Sequence, residues 1–225
     1  PSIVSLEFFS FQCYQPTYFR TVAFSALVPI ALEALNVIVY VLRLLVSPDK
    51  KKQQSRIQQH AYVGLLFSYL VLPPVSRQLF EALNCVPIND KKYVRVDTSV
   101  DCSSQSYNLF RVFDVVCLLA YMSVPVAWAL LLWRQRRLLH APKTDTDPRL
   151  GSLRFLVEPY RKNFYYWESV EMARRVVFVG LLPLLSVRPN RLAAMGMLLS
   201  LCSIAMYREV KPFVLPSTNA LVYVA

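Results

Sequence analysis

Glycine is scarce in this chain, with four residues in 225, and histidine occurs only twice, as His60 and His140. Acidic residues number 14 against 25 Lys and Arg, a net charge of +11. Each scarcity removes a class of function. There is no Gly-rich phosphate loop, no dinucleotide fingerprint, no nucleophile elbow and no paired-histidine motif. The chain is therefore not expected to be an enzyme, and no cofactor or metal is expected. No Asn-x-Ser/Thr sequon occurs, so no N-glycan is expected either. Neither an initiator Met nor a signal peptide stands before Pro1, and residues 222–225 lie in a fresh apolar run, so the chain reads as a piece of a longer protein.

What the chain has instead is apolar residues in long blocks, 55% of the total, with a mean hydropathy of +0.36. The short alternating segments of an outer-membrane barrel are absent. Long apolar blocks separated by polar connectors describe an all-α, polytopic helical membrane bundle. At about 1.5 Å per residue, blocks of twenty or more cross a ~30 Å hydrocarbon layer. Five complete spans are expected, over residues 21–46, 61–83, 109–133, 165–186 and 191–207, with a sixth starting near Ala220. Residues 1–18 form a lead-in without Lys or Arg, and 19–225 form the bundle. Pro73-Pro74, Pro125 and Pro183 fall inside spans and predict kinks.

The basic residues sort by connector. Connectors 47–60, 134–163 and 208–219 carry four, eight and two Lys or Arg, while loop 85–108 and the turn at 187–191 carry three and two. The excess places the first set in the cytoplasm and loop 85–108 outside. Positive charge lying between apolar blocks points to anionic cytoplasmic-leaflet lipid as partner, not to nucleic acid.

Of five cysteines, Cys117 and Cys202 fall within apolar spans and read as packing residues. Cys85 and Cys102 share the one sizeable outer loop, and a disulfide is expected between them, worth about 3 kcal/mol in the chain-entropy picture. Cys13 has no evident partner. Asp90, Asp97 and Asp101 in the same loop lack the spacing of a calcium-binding EF-hand and read as a solvated surface.

Charge inside a span is costly, so it directs attention to function. Glu33 and Asn36 are one turn apart near the middle of the first span. They suit either an ion or proton pathway or an interhelical hydrogen bond. Arg77 with Glu81, and Arg111 with Asp114, read as interface pairs whose head groups snorkel. The stretch EPYRKNFYYWESVEMARRVVF at 158–178 stands apart. Tyr160, Phe164, Tyr165, Tyr166 and Trp167 are residue types that settle at a membrane–water boundary, and they read as an aromatic belt. Glu168, Glu171, Arg174 and Arg175 follow at helical spacing, with Glu171 and Arg175 in the favourable i,i+4 order. Adjacent arginines exclude a voltage sensor, which spaces them every third residue.

This passage resembles the multi-pass TRP-like or polycystin-like membrane domains of fungal, algal and oomycete surface proteins. The features shared are Tyr160-Arg161, the aromatic cluster 164–167, Glu168, Glu171, Arg174-Arg175, the turn at 186–190, Lys211-Pro212-Phe213 and 219–221. In the outer loop they are Cys85, Tyr93, Asp97 and Cys102. Arg191 stands where the family often has Gln, and no selectivity-filter sequence is present. The resemblance implies a TRP-like module of a larger protein in the plasma, ciliary or other cell-surface membrane, for cation conduction or mechanosensing. Its other implied roles are a non-conducting anchor or scaffold for a large extracellular assembly, and a receptor-like signalling bundle. Implied partners are the rest of its own chain and further membrane subunits.

Overall fold

A computed structural model describes residues 18–46, 50–139, 151–185 and 189–221. The lead-in with Cys13, residues 47–49, 140–150 of connector 134–163, the turn at 186–188 and residues 222–225 lie outside them. Helices dominate. In order they are α1 (Tyr18–Val46), α2 (Lys50–Leu83), α3 (Gln105–Arg134), α4 (Arg136–Leu139), α5 (Arg154–Val157), α6 (Trp167–Val176), α7 (Leu182–Leu185), α8 (Pro189–Val210) and α9 (Pro216–Leu221). Four helices are long and apolar enough to cross a membrane: Tyr18–Val46, Ser55–Leu83, Gln105–Arg134 and Asn190–Val210.

Helix α2 starts at Lys50, so most of the expected connector 47–60 is helical. Lys, Gln and Arg lose little side-chain entropy in a helix and extend the apolar segment beyond its ends. Helix α2 also runs without a break through Pro73-Pro74. The expected span 165–186 is made differently. Helix α6 gives way to a π-helical turn, Val177–Leu181, which leads into α7. Gly180 explains why the turn is tolerated. A Cβ there would sit 2.0 Å from the Phe80 ring, so the ring of α2 occupies the space a side chain would need.

Between α2 and α3 lies a hairpin, β1 (Cys85–Ile88) paired antiparallel with β2 (Lys91–Val94). Its two-residue turn has φ of 46° at Asn89 and 68° at Asp90, the left-handed pair of a type I′ turn. Ser104 then caps α3, accepting from the Tyr107 amide at 3.2 Å.

Helices α1, α2, α3 and α6 share one core. Leu72, Val75, Leu79 and Ala82 of α2 and Tyr107, Phe110, Cys117, Tyr121, Trp128 and Leu132 of α3 are buried at helical spacing. Tyr121 ties α3 to α1 by donating to the Ala26 carbonyl at 2.7 Å. The outer faces of α1 and α8 remain apolar and open, from Phe24 to Val46 and from Met197 to Ile204. Apolar faces of that extent suit a lipid environment.

Candidate functional site

The site is built from two segments far apart in sequence. The segment before α6 meets the segment leaving α8 at a single antiparallel bridge between Tyr160 and Phe213. The Arg161 amide donates to the Pro212 carbonyl at 2.8 Å, and the Val214 amide to the Pro159 carbonyl at 3.0 Å. Helix α8 can deliver Phe213 there because it stops sharply. Lys211 takes a left-handed φ of 46°, and Pro212 cannot continue a helix. The buried Asn219 of α9 holds the turn closed, accepting from the Phe213 amide at 3.3 Å and donating to the Phe213 carbonyl at 3.0 Å.

Aromatic rings fill the junction. Tyr160 stacks on Phe213 with centroids 5.1 Å apart, and Phe213 on Tyr207 at 6.1 Å. Trp167 meets Tyr207 edge-on at 5.4 Å and Phe164 at 5.9 Å. Such pairs contribute about 0.5–1.5 kcal/mol each beyond the area they bury. Of the residues read as an aromatic belt, Tyr160, Phe164 and Trp167 enter this junction. Tyr160 and Trp167 are buried inside this cluster, at 7% and 4% exposure, and only Tyr166 is exposed. Tyr165 packs against the bundle core instead.

At the centre is the buried carboxylate of Glu171. Arg174 grips it in a fork, Nε to Oε2 at 2.8 Å and Nη2 to Oε1 at 2.7 Å. Arg175 Nε donates to Oε1 at 3.0 Å, and the Tyr207 hydroxyl donates to Oε2. Arg175 also reaches across to the Tyr69 hydroxyl of α2, 3.3 Å away. One carboxylate therefore fastens its own helix to α8 and, through Arg175, to α2. The bidentate geometry makes this pair stronger than a loose surface contact. The expected Glu171–Arg175 pair is present. Glu168 Oε2 accepts from the Tyr160 hydroxyl at 2.7 Å. Burial, and then the Glu168 carboxylate, push the Tyr160 phenol far above its ordinary value.

Glu33 and Asn36 meet α2. Their polar atoms lie over Gly64, where an added Cβ would come 3.1 Å from Glu33 Oε2 and 3.3 Å from Asn36 Nδ2. Asn36 Nδ2 donates to the His60 carbonyl at 3.2 Å, while His60 Nδ1 and Asn36 Oδ1 are 2.7 Å apart. Arg43 Nη1 stands 3.3 Å from His60 Nε2, completing a polar seam between α1 and α2. Glu33 also borders an apolar cavity of about 170 Å³ with Pro29, Phe67, Leu72 and Tyr121. His60 and Gly64 were not found by sequence reasoning. Their spacing, one turn apart on the next apolar segment, is the signal that was there.

The hairpin end carries the expected disulfide, Cys85–Cys102, with Cα atoms 6.5 Å apart. Arg77 and Glu81 form their pair at 2.8 Å. The second expected interface pair does not form. Asp114 has no exposure and neither of its oxygens has a hydrogen-bond partner, while Arg111 is exposed. The two lie near one side of α3, but the core takes Asp114 and leaves Arg111 at the exposed edge of that side. Among the described residues no group of three or more His, Cys, Asp or Glu is arranged to hold a metal ion. Compared with known protein families, with curated proteins and with solved structures, the chain matches none.

Proposed function

We propose that the chain is a TRP-like membrane domain of a larger cell-surface protein, working as a mechanosensory or channel-like module. The observation that carries this is the fourfold grip on Glu171, by Arg174 twice, Arg175 and Tyr207. Force on the chain beyond α8 reaches Phe213 first. It passes through the clamp to α6 and, by way of Tyr69, to α2. A clamp of this kind transmits a pull without itself deforming. In this proposal the clamp faces the cytoplasm, near anionic lipid, and loop 85–108 faces outward. Several copies, or other membrane subunits, complete the conducting assembly.

The test is reconstitution of the full-length protein in liposomes under voltage and applied tension. A cation current that rises with tension is expected, and Arg175→Ala is expected to change its tension dependence. No current at any tension up to bilayer rupture overturns conduction.

A specific observation favours a second reading, that of a non-conducting anchor for a large extracellular assembly. Asn36 is tied to His60 and Glu33 is pressed on Gly64, which suits a closed seam between α1 and α2. Under this reading the purified protein is monomeric and passes no current.

A further inference from the structure

Helices α1, α2 and α3 leave a gap where they meet midway along their lengths. It is the cavity of about 170 Å³ that Glu33 borders. Pro29 and Ile30 of α1, Phe67 and Val71 of α2, and Ala120 and Val124 of α3 give it apolar walls. The polar residues on the wall are engaged elsewhere. Glu33 lays its carboxylate against Gly64, where an added Cβ would come 3.1 Å from Oε2 and 3.6 Å from Oε1, and Oε1 is buried. Ser68 Oγ donates to the Leu65 carbonyl of its own helix at 2.9 Å. The Tyr121 hydroxyl donates to the Ala26 carbonyl. A buried water needs two to four polar partners, so water is a poor occupant of these walls.

The mouth of the cavity is marked by Ile30, 43% exposed, and by the exposed Ala120. Both belong to the open apolar surface that includes Leu27 of α1 and Val116 of α3. The cavity therefore opens onto the face that suits lipid. Its depth is set by its place along the helices. Residues 29–33 fall 11–15 places into the 29-residue α1, and residues 120–124 fall 15–19 places into the 30-residue α3. At 1.5 Å per residue both stretches lie at least about 15 Å from either end of their helix. That distance is about half of a ~30 Å hydrocarbon layer.

We propose that this cavity is a binding site for the end of one acyl chain of a bilayer lipid. The proposal rests on the reading of α1, α2 and α3 as membrane spans. Walls, mouth and depth agree on this occupant. A lipid head group stays at the boundary, because burying its charge is costly. The methyl end of its chain reaches the midplane, where the cavity opens.

The size fits as well. An apolar cavity of about 150 Å³ admits a molecule as large as benzene, so this one takes several methylenes of a chain. A chain end here touches all three helices at once. It lies against Tyr121, whose hydrogen bond to Ala26 ties α3 to α1. Bound there, it supplies the dispersion contacts that an empty gap forfeits. The site does not depend on conduction, because a ligand held by the folded state stabilises it in either case.

The experiment is photolabelling of the full-length protein in liposomes of phosphatidylcholine that carries a diazirine at the end of its acyl chain. Labelled residues are mapped by mass spectrometry. Leu72 and Tyr121 line the cavity and are buried, at 1% and 7% exposure, so a chain reaches them only through it. Adducts are expected on both. Ala120→Phe sets a ring in the mouth and is expected to abolish them. Leu119→Phe, one residue away and outside the wall, is expected to leave them unchanged. Both positions are exposed, so neither substitution disturbs the core. Adducts confined to exposed residues overturn the proposal, as do adducts on Leu72 and Tyr121 that persist in Ala120→Phe or vanish equally in Leu119→Phe. An absence of adducts even on Leu27 and Val116 overturns both the proposal and the reading of α1 and α3 as spans, which keeps the two failures distinct.

Discussion

The Tyr207 hydroxyl donates a hydrogen bond to Oε2 of Glu171, across 36 residues and between two different helices. That single contact joins the end of α8 to the middle of α6. It also orders the effects of mutation around it. Tyr207→Phe leaves Glu171 with both arginines and loses one charge-assisted bond, so a loss of about 1.5–3 kcal/mol is expected. Glu171→Ala leaves two guanidiniums facing each other without a counter-charge and loses more. Side-chain exposure of 33% for Arg174 and 44% for Arg175 softens that penalty, since water screens both groups. Unfolding in a mild detergent checks the order, and a Tyr207→Phe protein less stable than Glu171→Ala contradicts it.

The π-helical turn rests on Phe80 lying where a Gly180 Cβ would be. Gly180→Ala is expected to cost about 1–3 kcal/mol through overpacking. Phe80→Leu in the same protein is expected to recover part of that cost, because the clash is with the ring. Additive losses in the double variant would show that the two residues do not meet.

Lys211 holds a left-handed backbone without being glycine. Its side chain is exposed, so replacing it removes no buried contact. Lys211→Gly is expected to stabilise the protein by about 1 kcal/mol, because glycine adopts this φ without a Cβ penalty. A drop in Tm would mean that the lysine side chain has a role of its own.

Tyr160 predicts a pH dependence of definite sign. Its phenol is raised in the folded protein, whereas in the unfolded chain it ionises near pH 10. Its contribution to stability is complete below about pH 10 and falls by about 1.4 kcal/mol for each unit above it. The stability advantage of wild type over Tyr160→Phe is expected to shrink across pH 10 to 11. A constant difference would place the phenol in water.

Much of the plan is legible in the residues. Apolar blocks at 21–46, 61–83 and 109–133 correspond to α1, α2 and α3, because membrane-length hydrophobicity is a local property of composition. The disulfide followed from two cysteines sharing one loop, and Arg77–Glu81 from i,i+4 spacing. Pairing at i,i+3 was a weaker guide. It failed for Arg111 with Asp114, since i,i+3 spacing puts two side chains near one side of a helix without deciding which of them the core takes.

Sequence alone determined the helical class, the positions of the long apolar helices and the identity of the charged and aromatic residues at 158–178. Only the tertiary structure decided what those residues do. Whether an aromatic ring packs on Phe213 depends on where α8 ends, and that end is set by a left-handed Lys211 that no periodicity announces. The partners of Glu171 were decided in the same way. Arg174 and Arg175 are local and were visible, but Tyr207 and Tyr69 come from other helices. Long-range contacts between side chains are properties of packing, and a linear pattern carries only the part of them that repeats along one helix.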